Sequence, residues 1–306
     1  MEIAITGATG FVGTRLVERL IEEGHKVKVF TRSPSRARKV FPLSAFPKVE
    51  VVGYTPTASG DWQQQISGCD GVVNLAGETI SERWTAERKR RILNSRKLGT
   101  QKLVEAIEQA ENRPAVLVSG SAVGYYGTSE TAEFYETSEP VQDDFLSEVC
   151  QAWEGEAEKV KAFGTRLVII RTGIVLGMGG AIERMLTPFR LYAGGPIGSG
   201  KQWFSWIHRD DLVNLFIKGL TDASMEGVYN GTAPNPVRMG ELCNTLGKVM
   251  DRPSWLPVPD FVIETLLGDG AVVVLEGQKV LPERTQAAGF EFQYPQVEAA
   301  LRDVVS

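Results

Sequence analysis

The chain is 306 residues long, with 42% apolar residues, 23% charged residues and a formal net charge of −5. That length suits one large α/β unit or such a unit with a smaller lobe. The acid excess excludes nucleic acid as the main partner, because no basic surplus exists to neutralise phosphates. No run approaches the ~18 apolar residues that a membrane span needs. Cys69, Cys150, Cys243, His25 and His208 show no paired spacing and make no zinc set, so no metal and only reduced thiols are expected. The first residues already read as strand and turn, so no targeting peptide is expected. The compartment that follows is the cytoplasm, or an organelle stroma if a transit peptide has been removed.

The first predicted strand, Ile3-Ala4-Ile5, runs into Gly7-Ala8-Thr9-Gly10-Phe11-Val12-Gly13. Phe11, Val12, Leu16, Val17, Leu20 and Ile21 then form an apolar stripe at helical spacing. Strand, glycine turn and helix together form a dinucleotide site in which each glycine has a task. Gly7 permits the tight turn, Gly10 lets the backbone approach a pyrophosphate, and Gly13 lets the helix pack on the strand. The helix start offers free N–H groups and partial positive charge to the phosphates. Gly7, Thr9, Gly10, Phe11, Val12 and Gly13 are therefore candidate cofactor-binding residues.

The second strand, Val27 to Thr31, ends in Thr31-Arg32-Ser33-Pro34-Ser35-Arg36, with no acid until Glu50. An acid at this strand end binds a ribose 2′-hydroxyl and repels a 2′-phosphate, whereas a guanidinium pairs with the phosphate. Thr31, Arg32 and Arg36 therefore predict NADP rather than NAD. A third strand is expected at Val49 to Val52, a short helix from Gly60 to near Gly68, and a fourth strand with its exit turn at Gly71 to Gly77. A long helix follows from about Trp84 to Glu111, and its dense charge is a solvated face. The fifth strand, Ala115 to Ser119, leads into a serine–glycine turn that contains Ser121.

A helix over Asp143 to Val160 buries Phe145, Leu146, Val149, Cys150 and Trp153, and Arg166 to Gly173 is the sixth strand and its turn. Gly195 to Lys201 fits the spacing of an NTPase phosphate loop. Gln202 replaces the required Ser or Thr, however, and Trp203 to Ile207 reads as strand, so that reading is rejected. Asp210 or Asp211 is expected to cap a helix reaching Leu220, with His208 before it most simply structural. Helical patterns dominate after Asn235, broken at Pro257-Val258-Pro259, with a final helix near Gln296 to Val304.

These motifs resemble the extended branch of the short-chain dehydrogenase/reductase superfamily. Asn74-Leu75-Ala76-Gly77 is similar to its Asn-x-Ala-Gly element, Gly120 to Gly127 to its Ser-Ser-x-x-Val-Tyr-Gly stretch, and Arg171-Thr172-Gly173 to its Arg-Pro-Gly element. Thr31-Arg32-Ser33, Asn74 to Glu78 and Leu275 to Pro282 resemble more narrowly the epimerase-family proteins of the SDR39U type, whose bacterial members are also labelled cell-division-inhibitor-like. The resemblance implies a doubly wound parallel sheet of the Rossmann type with a smaller, mainly helical C-terminal lobe. The dinucleotide domain is expected over 1–175, with about 203–232 returning to it, and the substrate lobe over 176–306. Leu75, Ala76, Gly77, Glu78, Arg96 and Thr172 join the implied NADP contacts.

Active relatives carry Tyr-x-x-x-Lys on the helix that here spans Asp143 to Val160. The residues four after Tyr54, Tyr125, Tyr126, Tyr135, Tyr192, Tyr229 and Tyr294 are Ala, Ser, Glu, Glu, Pro, Ala and Glu. The pair is missing, and Arg96 stands where relatives place the Asn that organises a relay water. Ser121 is the implied partner of a reacting oxygen. Tyr125, Tyr126, Cys150 and His208 remain open as replacements for the acid/base group. Two readings follow. One is an NADP-dependent oxidoreductase or epimerase acting on an unidentified small molecule. The other is a weak or inactive NADP(H)-bound regulatory protein, for example in cell division, working through a protein partner or as a homo-oligomer.

Overall fold

The computed structural model describes residues 1–306, the side chain of Ala181 apart. Seven parallel strands form the central sheet: β1 (Glu2–Thr6), β2 (Lys26–Thr31), β3 (Val49–Gly53), β4 (Gly71–Asn74), β5 (Val116–Ala122), β6 (Arg166–Thr172) and β7 (Gly227–Gly231). Their spatial order is 3-2-1-4-5-6-7. The order reverses beside β1, so a crevice opens between the carboxyl ends of β1 and β4.

Alternation along the strands decides which side chains face which layer. Ile3 and Ile5 of β1 pack with Leu16, Val17 and Leu20 of α1 (Phe11–Glu22) and with Leu212 and Phe216 of α6 (Arg209–Thr221). Ala4, between them, packs on the opposite face, where Leu103 and Ile107 of α3 (Ala86–Gln109) and Ala157 of α4 (Phe145–Glu158) lie. Both faces of the sheet are thus covered, which is why the strands read as continuous apolar runs.

A separate core joins Ile182 and Leu186 of α5 (Ala181–Arg190), Leu242 and Leu246 of α7 (Met239–Met250), and Leu301 and Val304 of the C-terminal helix Val297–Val305. The chain then ties this lobe to the sheet with a belt. Lys279–Val280 pairs with Glu133–Phe134. Ser205 Oγ donates to the Gln278 carbonyl and accepts from the Val280 amide, Asn230 Nδ2 donates to the Leu281 carbonyl, and Gln278 Nε2 donates to the Val123 carbonyl. Among the described residues, no helix is long and apolar enough to cross a membrane, and no His, Cys, Asp and Glu cluster is arranged to hold a metal.

The expected cap of α6 is corrected. His208, not Asp210 or Asp211, is the N-cap, and its Nδ1 accepts from the Asp210 amide at 3.3 Å. Both aspartates have other partners. Asp210 receives Arg15 of α1 through both carboxylate oxygens, at 3.0 and 3.1 Å, and Asp211 accepts the Gln293 and Tyr294 amides. Ser121 also differs from expectation, because β5 continues to Ala122 and holds it inside the strand.

α1 sits so close to β1 that a Cβ on Gly13 would overlap the Gly7 carbonyl oxygen and lie 2.7 Å from Ala8 Cα. Overpacking against backbone typically costs about 1–3 kcal/mol. Gly13→Ala is therefore expected to lower the urea midpoint at an unchanged slope.

Candidate functional site

The cradle at the end of β1 is built by exclusion of side chains. Gly7 has φ +72°, and a Cβ there would lie 2.6 Å from the Leu75 carbonyl carbon. The turn after β4 is fixed in turn by Thr6. Its hydroxyl donates to Asn74 Oδ1 at 2.7 Å and accepts the Ala76 amide at 3.3 Å, while its carbonyl accepts the Leu75 amide. Gly10 is exposed and caps α1 without a side-chain bond, and no acid lies in the first turn. The amides of that turn are left for an anion, which is what a helix start next to a glycine turn offers. Thr9 is half-buried beside them. Val12 packs into the core and the Phe11 ring turns toward Gly177 and Gly180, so both contribute backbone rather than side chain to the cradle.

The far end of the crevice is basic. Thr31 Oγ1 accepts the Ser33 amide and holds the turn after β2, from which Arg32 projects with 75% of its side chain exposed. Arg36, on α2 (Pro34–Val40), is exposed too. Glu78 faces Arg32 across 3.9 Å and is held at closer range by Arg88 and Arg91 of α3. Arg96 donates to the Glu78 carbonyl and lies over the Trp153 ring. Its burial lowers the guanidinium pKa. A Cβ on Gly77 would sit 2.9 Å from that guanidinium, so Leu75, Ala76, Gly77 and Arg96 form one wall. Thr172 ends β6 on the same carboxyl edge of the sheet, opposite Ala122.

The third part is a buried polar cluster. Ser121 Oγ donates to Glu154 Oε1 at 2.6 Å. Arg171 clamps the same carboxylate with Nε at 2.9 Å and Nη2 at 2.8 Å. Burial opposes the guanidinium charge, but Glu154 more than offsets it and the Arg171 pKa is raised. Arg171 Nη1 also donates to the Tyr126 hydroxyl, which donates to Asn230 Oδ1 at 2.7 Å. Tyr126 is 1% exposed, and burial pushes its hydroxyl up to about 12. Tyr125 stacks on Arg171 instead. One turn before Glu154, the Cys150 thiol points to the Ala122 carbonyl at 3.6 Å, and burial pushes it up to about 11.

His208 lies elsewhere. Its Nε2 meets Asp303 of the C-terminal helix at 3.1 Å and its ring packs on Tyr294, so it joins the lobe to α6. The structure therefore brings Ser121 and Tyr126 into one network with Cys150 beside it, and places His208 outside it. Glu154 and Asn230 were missed by the sequence reasoning, and Arg171 entered only as part of a motif. Glu154 lies one turn after the buried Cys150, but only its pairing with Arg171 shows its place.

The profile of the NAD dependent epimerase/dehydratase family matches residues 3–230. The chain belongs to this family. Residues 258–304 match a domain of unknown function, DUF1731. This epimerase-family chain is 53% identical over 308 residues to the epimerase family protein SDR39U1 homolog, chloroplastic, of Arabidopsis thaliana, covering 100% of this chain and 87% of that one. The human epimerase family protein SDR39U1 (isoform 2), solved with NADPH, aligns with a TM-score of 0.88 at 38% identity over 99% of both chains. A Bacillus cereus UDP-glucuronic acid 4-epimerase shares the fold, with a TM-score of 0.80 at 18% identity over 99% of this chain and 98% of that one. The expected family and Rossmann architecture are thereby borne out.

Two outcomes follow for this epimerase-family chain. Arg171→Ala strands a buried carboxylate, and breaking such a pair costs about 3–5 kcal/mol. Arg171→Met with Glu154→Leu is expected to recover most of that loss in denaturant unfolding. His208 is lowered from the usual 6.5, chiefly by burial, against the opposing charges of Asp303, Asp210 and Asp211. The unfolded chain therefore takes up this proton first as pH falls, so the stability is complete above about 6.5 and lost below it. The fall in unfolding free energy between about pH 7 and pH 5 should be smaller in His208→Asn.

Proposed function

We propose that the chain binds NADP(H) and performs oxidoreductase or epimerase chemistry on a small molecule. The observation that carries this reading is a shared edge. The open cradle at α1 and the arginine-lined end of β2 sit at the carboxyl end of the same sheet as the buried Ser121–Glu154–Arg171 cluster. The residues present fit the group. A Gly10 Cβ would meet only the Gly7 carbonyl oxygen, at 3.2 Å, so the backbone is open for a pyrophosphate to approach. The human relative solved with NADPH supports the same assignment.

Gly10 would admit the pyrophosphate, with Gly7 making the turn and Gly13 the close helix packing that shape its site, Thr9, Phe11 and Val12 would present backbone to it, and Thr31, Arg32 and Arg36 would hold the 2′-phosphate. Leu75, Ala76, Gly77 and Arg96 would wall the adenosine side, with Thr172 toward the reacting end. Bound there, the nicotinamide supplies or accepts a hydride. The protein must then orient the substrate and manage a proton. Ser121 orients, because its own proton is committed to Glu154 and its lone pairs stay available to a substrate O–H or N–H. Glu154 acts through Ser121 and is held by Arg171. Cys150 and Glu154 are one turn apart on α4, the spacing of the Tyr and Lys in active relatives, but a thiol beside a carboxylate paired to Arg171 does not supply what that pair does.

One observation favours a second reading, an NADP(H)-bound protein that works through a partner. The Cys150 thiol and the Tyr126 hydroxyl are both pushed well above neutrality, to about 11 and about 12, and both are bonded within the protein. Neither is a ready proton donor or acceptor at neutral pH, so turnover through them would be slow.

Fluorescence titration of the purified protein with NADPH and NADH tests the cofactor half. Tight NADPH binding, weak NADH binding and loss of that preference in Arg32→Ala are expected. Binding of neither nucleotide would end both readings. A carbonyl and sugar-nucleotide panel then separates them. Turnover that falls in Ser121→Ala by about 10²-fold or more, with cofactor affinity unchanged, supports the enzyme.

A further inference from the structure

Glu78 leaves the turn after β4 and faces three guanidinium groups. Arg91 Nη2 lies 2.9 Å and Arg88 Nη1 3.1 Å from Oε1, while Arg32 Nη1 lies 3.9 Å from Oε2. Arg88 also reaches Glu82 at 2.9 Å and the Thr79 carbonyl at 3.0 Å. The close bonds to Glu78 come from α3, and Arg32 stays beyond hydrogen-bonding distance with 75% of its side chain exposed. Glu78 itself is fixed, with its amide donating to Ser95 Oγ, its carbonyl accepting from Arg96 and only 15% of its side chain exposed.

An acid at the end of β2 is what excludes a 2′-phosphate from a Rossmann site. This chain has none there, yet Glu78, after the end of β4 on the far side of β1, brings a carboxylate to within 3.9 Å of Arg32. Left alone, that carboxylate would draw Arg32 into a direct ion pair and repel a phosphate dianion. We propose that Arg88 and Arg91 are specificity-determining positioning residues. They satisfy Glu78 from α3, which cancels its repulsion and leaves Arg32 free for the 2′-phosphate. Three guanidinium groups against the two carboxylates of Glu78 and Glu82 leave the end of the crevice positive. This inference rests on the NADP(H) reading above.

The test is fluorescence titration with NADPH and NADH of the wild type, Arg88→Ala/Arg91→Ala, the same pair with Glu78→Gln, and Glu78→Gln alone. The double variant is expected to lose about tenfold or more in NADPH affinity, since one unfavourable like-charge contact is worth at least that, while NADH changes by less than about twofold. Adding Glu78→Gln is expected to restore NADPH binding. Equal losses for both nucleotides, or no recovery with Glu78→Gln, would overturn the proposal. If the double variant does not fold, Arg91→Ala decides, compared in the wild type and in the Glu78→Gln background. NADPH affinity is expected to fall only where Glu78 keeps its charge, and an equal fall in both backgrounds, or no fall in either, would overturn the idea. A wild type that binds neither nucleotide sinks the cofactor reading itself. A wild type that prefers NADPH, loses that preference in Arg32→Ala and keeps it in Arg88→Ala/Arg91→Ala sinks this inference alone.

Discussion

A single buried ion pair organises the carboxyl edge of the sheet. Arg171 from β6 and Glu154 from α4 meet in bidentate geometry, and each also satisfies a group on another element. Glu154 accepts a hydrogen bond from the Ser121 hydroxyl on β5, and Arg171 donates to the Tyr126 hydroxyl, which donates in turn to Asn230 on β7. Taking two charges out of water is costly, and the attraction repays it only when every remaining donor and acceptor is met. Here the constraint runs through three adjacent strands and a helix, so their relative positions are set by the need to leave no charge unpaired. The packing of α4 on the sheet follows from it as much as from apolar contact.

The two ends of the crevice differ in how they hold charge. Around Ser121 the charges are matched, dry and closed among themselves. Around Arg32 they are unequal and partly wet, with guanidinium groups in excess. A site of the first kind resists rearrangement, and a site of the second kind waits for an anion. That division separates an end open to an anion from an end whose polar groups are already committed to one another.

Much of this was legible in the residue order. The glycine turn was readable because Gly7 and Gly13 are positions that no side chain fits, and steric exclusion leaves its mark on one residue at a time. Strands were readable because apolar runs such as Ile3 to Ile5 face helices on both sides. The helix cap at His208 was not readable. Asp210 and Asp211 are better caps by propensity, but Arg15 and the backbone near Tyr294 claim them from far along the chain. Ser121 was found as a residue but placed in a turn, because glycine neighbours usually end a strand. Here Gly120 packs against the Trp153 ring, and its lack of a side chain lets the strand run on. Glu154 was hidden for a similar reason. A carboxylate on an amphipathic helix ordinarily faces water, and only Arg171, 17 residues away, reveals that it faces inward.

The belt through Gln278 to Leu281 bears on how the chain is made. Ser205 and Asn230 are buried, and the Ser205 hydroxyl and the Asn230 Nδ2 group find their partners in that late segment. During synthesis the sheet, the glycine cradle and the Arg171–Glu154 pair all emerge first, and they remain with open polar groups until the belt arrives. A product that stops short of Gln278 is thus marked by unpaired polar atoms in its interior, each costing about 1–3 kcal/mol. Loss of the C-terminal segment therefore weakens the sheet that precedes it as well as its own lobe.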